Sequence, residues 1–94
     1  MTIYAVRFSY LDKPDRLDAE RPPRLAWFQR LEADGCLLAS GQLLGTAAMS
    51  GMLVLEADDR VAAERILDAD PYAVVGLVAE RTIEQWRPTV GTWL

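Results

Sequence analysis

Asp70 stands in the segment D-A-D-P-Y, residues 68–72, between two stretches of helical character. A carboxylate at such a junction can aim into a cleft. It could take or give a proton if burial or a neighbouring charge tunes it. The same residue before a proline is also ordinary N-cap chemistry, and the segment alone does not separate the two roles. Arg21 and Arg24 offer the complementary charge, since an arginine leaning toward a sheet can clamp a carboxylate ligand. Ser40-Gly41 presents a hydroxyl beside bare backbone, or simply a strand end. Tyr72 joins Arg24 and Ser40 as a candidate ligand contact. Arg7 and Arg81 are charges in apolar surroundings that could pair with Glu80 or Glu84, meet a partner subunit or line a pocket.

Histidine is absent from all 94 residues. That excludes Ser-His-Asp and Cys-His nucleophile systems, histidine-ligated zinc and a proximal-histidine haem. The single cysteine, Cys36, lies in an apolar run and reads as a buried structural thiol. Asp58-Asp59 and Asp68-Asp70 lack the spacing of a calcium loop. No phosphate loop and no dinucleotide fingerprint occur, so no metal and no redox cofactor is expected.

These residues must be positioned by a small fold. Hydrophobic residues make up 51% and charged residues 26% of the chain, the profile of one globular domain over residues 1–94. Thr2 to Tyr10 is β-branched and aromatic and reads as a strand, with Tyr4, Val6 and Phe8 on one face and Ile3, Ala5 and Arg7 on the other. A charged loop follows. Arg21-Pro22-Pro23 is expected to open a helix, as first-turn proline is tolerated. Leu25, Phe28 and Leu31 give its buried stripe, Trp27 lies off that stripe, and Gly35 ends it. Cys36–Ala39 and Gly51–Ala57 read as strands joined by a Gly-rich connection.

Asp58-Asp59 starts a second helix ending near Asp68, with Ala62, Ala63, Ile66 and Leu67 on its apolar face. Asp70-Pro71 starts a short turn that Gly76 closes. Leu77–Arg87 is the last strand, and residues 88–94, with Trp93, form a tail expected to dock. The order β-α-β-β-α-β predicts an α+β, ferredoxin-like fold, a four-stranded antiparallel sheet with both helices on one face.

The net charge is −4. Residues 1–47 balance six basic against six acidic groups, and residues 48–94 hold four against eight. No positive footprint for a phosphate backbone exists, so nucleic-acid binding is not expected. No apolar run is long enough to span a bilayer. Arg7 and Asp12 interrupt any leader-like pattern, which makes the cytoplasm the expected location. Met52-Leu53-Val54-Leu55 runs without alternation, as does Cys36 to Ala39. Two helices cover one sheet face only, so a homodimer through the other face is expected. The alternative is that the C-terminal tail covers it.

The R-P-P-R-L stretch at 21–25, the L-L-A-S-G-Q-L strand at 37–43, and D-A-D-P-Y-A-V-V-G-L followed by a strand ending W-R-P resemble a YCII-related (YciI-like) protein over roughly residues 3–88. The resemblance implies a ferredoxin-like fold, a dimer of the α/β-barrel type and a small cleft between sheet and helices. It also implies a His–Asp acid/base pair acting in lyase- or isomerase-type chemistry on a small molecule. The aspartate falls on Asp70. The histidine falls where this chain has Arg24. Arginine stays protonated and cannot be a general base, but it can hold an anion or stabilise an oxyanion. Three roles follow. One is an altered enzyme with Asp70 as acid/base and Arg24 as clamp for a small carboxylate. The second is a non-catalytic binder of a small acid. The third is a structural dimer in which Arg24 and Asp70 form a salt bridge.

Overall fold

The structure is a computed structural model that describes residues 1–91. Its elements are β1 (Thr2–Tyr10), α1 (Pro14–Ala33), β2 (Leu37–Leu43), β3 (Ser50–Ala57), α2 (Arg60–Asp68), α3 (Pro71–Val74) and β4 (Val78–Gln85). The strands form one antiparallel sheet in the order β2-β3-β1-β4. The predicted ferredoxin-like arrangement is the one found.

Strand alternation sets the layers. Tyr4, Val6 and Phe8 of β1 and Leu53, Leu55 and Ala57 of β3 point to the helix side. There they pack with Trp27 and Leu31 of α1, Ala63 and Leu67 of α2, and Ile83 of β4. A second, smaller cluster holds Leu17, Tyr72 and Leu77. Met52 and Val54 project to the opposite face, which explains the unbroken apolar run in β3. Asp59 caps α2 by accepting from the Ala62 N–H at 2.8 Å, and Gly35 and Gly76 hold the positive φ angles that end α1 and α3.

Several expected boundaries move. The first helix begins at Pro14, which is its first-turn proline, while Pro22 and Pro23 lie in its exposed interior. They remove the donors that would reach the carbonyls of Asp18 and Ala19, and an exposed helix face lets water satisfy those carbonyls instead. The buried stripe is Leu17, Arg24, Trp27 and Leu31. Leu25 is 56% exposed, whereas Trp27 is 4% exposed and sits in the core, neither as its spacing suggested. β2 continues through Ser40 and Gly41, so these are strand residues rather than a strand end. Cys36 is a free thiol, partly buried against the core. Val90 in the tail is 93% exposed. The docking expected of Trp93 concerns residues outside the described ones.

Candidate functional site

The site starts from the phase of α1. Leu17 and Arg24 are seven residues apart, two helical turns, and so share one face. That brings Arg24 onto the buried stripe, with only 7% exposure. A buried guanidinium needs a counter-charge, and Asp70 supplies it. Arg24 Nε donates to Asp70 Oδ1 and Arg24 Nη2 to Asp70 Oδ2, both at 3.1 Å. Asp70 is 4% exposed. It reaches this position because the chain breaks between α2 and α3, where Pro71 starts the new helix. Asp70 Oδ1 also accepts from the Tyr72 N–H at 3.0 Å. One carboxylate thus caps α3 and pairs with Arg24, so the capping and functional roles coexist.

Four aromatic rings box the guanidinium. Its carbon lies 4.2 Å from the ring centre of Tyr72, 4.8 Å from Phe8, 4.9 Å from Phe28 and 5.0 Å from Tyr10. Such cation–π contacts favour a charge that water cannot reach. Arg24 Nη1 donates to the Tyr10 hydroxyl. The Tyr72 hydroxyl donates to the Leu17 carbonyl at 2.9 Å, tying α3 to α1. Gly51 makes this packing possible. A Cβ there would lie 2.9 Å from Phe8 Cε2 and 3.1 Å from the Tyr10 hydroxyl.

Beside the pair opens a cleft of about 300 Å³ between α1 and the β2–β3 end of the sheet. Tyr10, Arg24, Ser40 and Tyr72 are all on its walls, with Phe8, Phe28, Gln42 and Ser50. Arg21, Leu25 and Met49 also line it, and all three are exposed. The structure therefore brings together Arg24, Tyr72 and Ser40, three of the four candidate residues, on one cavity. Asp70 is behind Arg24 and not on the wall. Arg21 pairs with Asp18 at 2.9 Å on the surface. Arg81 pairs with Asp68, away from the cleft. Among the described residues, no group of three or more His, Cys, Asp or Glu side chains is placed to hold a metal ion.

Tyr10 is the residue the candidate set lacks. Its signal is the alternation itself, since Tyr10 continues the inward series Tyr4, Val6, Phe8. Burial pushes its phenol above its ordinary range. The charge and hydrogen bond of Arg24 pull it back in part, and Asp70 and Tyr72 push it further up. The folded protein therefore holds this proton more tightly than the unfolded chain. Below about pH 10 both states keep it, and no stability is lost. As pH rises beyond that, the unfolded chain releases it first and stability falls. Denaturation midpoints measured from about pH 8 to about pH 11 are expected to fall more steeply for the wild type than for Tyr10→Phe. Parallel declines would show that the Tyr10 proton does not contribute.

An antiparallel sheet with its helices on one face, and a cleft walled by both, defines a small ferredoxin-like α+β protein. The chain belongs to the YCII-related domain family, whose match spans residues 3–87. Among solved structures it is similar to the 5-chloro-2-hydroxyhydroquinone dehydrochlorinase of Burkholderia phenoliruptrix in complex with 2,5-dihydroxybenzoquinone. The identity is 18% and the TM-score 0.79, over 90% of this chain and 93% of that one. It is also similar to SnoaB, a cofactor-independent oxygenase from Streptomyces nogalater, at 18% identity and TM-score 0.54 over 95% of each chain. An uncharacterized NIPSNAP domain protein from Burkholderia xenovorans matches at 15% identity and TM-score 0.57, again over 95% of each. No curated protein matches the chain. At these identities the structures speak for the fold. No helix among the described residues is long and apolar enough to cross a membrane.

Proposed function

We propose that this protein binds a small acidic molecule in the cleft beside Arg24 and carries out proton transfer on it, of the elimination or isomerisation type. The observation that carries the reading is the coexistence of an intact Arg24–Asp70 pair with about 300 Å³ of open space next to it. A pair that merely filled an old site would leave no room. Of the five N–H groups of a guanidinium, two go to Asp70 and one to Tyr10, and two remain for a ligand. In this reading Asp70 is the anchor of Arg24, since both its oxygens are engaged. Ser40 and Tyr72 contact the ligand from the sheet and from α3. The dehydrochlorinase among the similar structures, held with a benzoquinone, supports small-molecule chemistry in a fold of this kind.

The same proposal includes a homodimer through the outer sheet face and a cytoplasmic location. Ala5, Ala39, Val54 and Trp86 frame a cavity of about 560 Å³ on that face, and the small side chains of Ala5, Ala39 and Val54 suit a second copy packed sheet to sheet. Sedimentation equilibrium is expected to give twice the chain mass, and a monomer mass at micromolar concentration overturns the dimer. The lone free thiol, Cys36, suits a reducing compartment, and cell fractionation tests it.

Binding is tested by thermal unfolding against a panel of small mono- and dicarboxylates. A ligand at a hundred times its Kd stabilises by about 2.7 kcal/mol, a shift on the order of 10 °C for a domain of this size. The shift is expected to vanish in Arg24→Met/Asp70→Leu, which removes both charges at similar volume. Each binding compound is then held with the protein in D2O, and loss of its C–H signals by NMR reports proton transfer. Binding without exchange leaves a binding protein. No shift with any compound overturns the reading in favour of a structural dimer.

A further inference from the structure

We infer that Tyr10 is the proton donor of this cleft, passing its phenolic proton to the carbon of a bound enolate, with Arg24 as the charge that receives the resulting phenolate. The inference rests on the proposed function and adds to it the group that carries the proton and the kind of ligand it meets.

Three observations lead there. The Tyr10 oxygen accepts from Arg24 Nη1, which fixes the direction of one lone pair. Its own O–H has no acceptor among the described residues, although the hydroxyl sits over Gly51 on the inner face and its ring is on the cleft wall. The second tyrosine on the wall is differently placed, because the Tyr72 hydroxyl already donates to the Leu17 carbonyl.

The rest of the wall decides the direction of transfer. Among the described residues lining the cleft, the ionisable side chains are Tyr10, Tyr72, Arg21 and Arg24. Neither a carboxylate nor an amine is there to remove a proton from carbon, and Asp70 stands behind the guanidinium. The Tyr10 phenolate is then the one wall group able to take a proton from carbon, so the isomerisation is entered most readily from its enolate side, and C–H exchange of a keto ligand is the slower reverse of the same step. The electrons of the enolate double bond then form the new C–H bond. The Tyr10 O–H bond breaks and leaves its pair on the phenol oxygen, and the enolate oxygen becomes a carbonyl. Water at the cleft mouth returns a proton to the phenolate. The buried, aromatic setting keeps Tyr10 protonated between turnovers, and the Arg24 bond offsets the charge that forms during one. The four rings around the guanidinium suit a ligand with a flat conjugated part.

The enol form of phenylpyruvate is the probe, since it joins a ring, a carboxylate and an enol whose hydroxyl gives its proton to water, forming the enolate that Tyr10 protonates. Its ketonisation is followed by ultraviolet absorbance in wild type and Tyr10→Phe, and binding of the keto form is followed by thermal shift. The expected result is acceleration by the wild type, slowed in D2O. Tyr10→Phe is expected to lose it by about 100-fold or more while binding the keto form as the wild type does. Equal acceleration by both proteins overturns Tyr10 as donor and leaves the proposed function standing. Binding with no acceleration also overturns it, and reduces the cleft to a binding site. Absence of both binding and acceleration overturns the inference together with the function on which it rests.

Discussion

Asp70→Ala is expected to lower the unfolding free energy by about 3–5 kcal/mol, because it strands a buried guanidinium without its counter-charge. Arg24 is 7% and Asp70 4% exposed, so water cannot replace the lost partner cheaply. The change also removes the side chain that caps α3 through the Tyr72 N–H, which adds to the loss. Against a typical total of about 5–15 kcal/mol, this is a large fraction. Arg24→Met/Asp70→Leu is expected to recover most of it, since an apolar pair of similar volume avoids the desolvation of two charges. Urea denaturation of the wild type and both variants measures this. A loss below about 1 kcal/mol in Asp70→Ala would mean that the guanidinium relaxes to water. If the double variant were the less stable protein, attraction between the guanidinium and the four rings that face it would outweigh the desolvation of the pair.

The second large effect separates two neighbours on α1. Trp27→Ala is expected to cost about 3–5 kcal/mol, through lost burial and the cavity left behind. The indole is 4% exposed, packs into the main core and lies 5.1 Å, centre to centre, from Phe28. Leu25→Ala is expected to change stability by less than about 0.5 kcal/mol, as surface substitutions do. Its 56% exposure leaves little to lose. Leu25 lies instead at the edge of the cleft, so its removal is expected to weaken ligand binding while stability holds. Denaturation midpoints for the two variants read the contrast directly. A reversed order would require α1 to be rotated by about two residues, or roughly 200°.

That contrast also shows what the sequence made legible. The first strand was readable because alternation has a short period and few competing explanations, whereas β3 was readable as a short unbroken apolar run. Tyr4, Val6 and Phe8 do face the helices. Asp59 was readable as a cap because an aspartate before a helical run commonly serves as one, and for Asp70 capping was one of two roles left open. The first helix was obscured by two features. Pro22-Pro23 imitates a helix start, while the actual start at Pro14 opens a turn of charged residues. The buried stripe also contains an arginine, and hydrophobic periodicity cannot count a charged residue as core. Leu25 then replaces Trp27 in the apparent pattern. Arg24 and Asp70 could be suspected from the D-P-Y segment and the family resemblance. Their pairing was one of three roles left open, and the sequence could not choose among them because the pair joins residues 46 positions apart across a helix junction. Tyr10 went unnoticed for a related reason: a tyrosine at the end of a strand is ordinary until Arg24 is seen beside it.

The sheet order has a consequence for how the chain reaches this state. β2 and β3 are consecutive and close a local hairpin, with Leu43 opposite Ser50. β1 lies between β3 and β4, and its pairs, such as Thr2 with Ala57 and Tyr4 with Gln85, are distant in sequence. Pairings of that range form slowly, because a long loop must close before they repay its entropy. Until β1 inserts, β3 presents an unpaired edge bearing Leu53, Val54 and Leu55. All three are buried in the finished protein. Such an edge is a template for another chain. The risk of aggregation therefore belongs to the interval before β1 docks rather than to the native surface, and insertion of the strand bearing Tyr10 ends that interval.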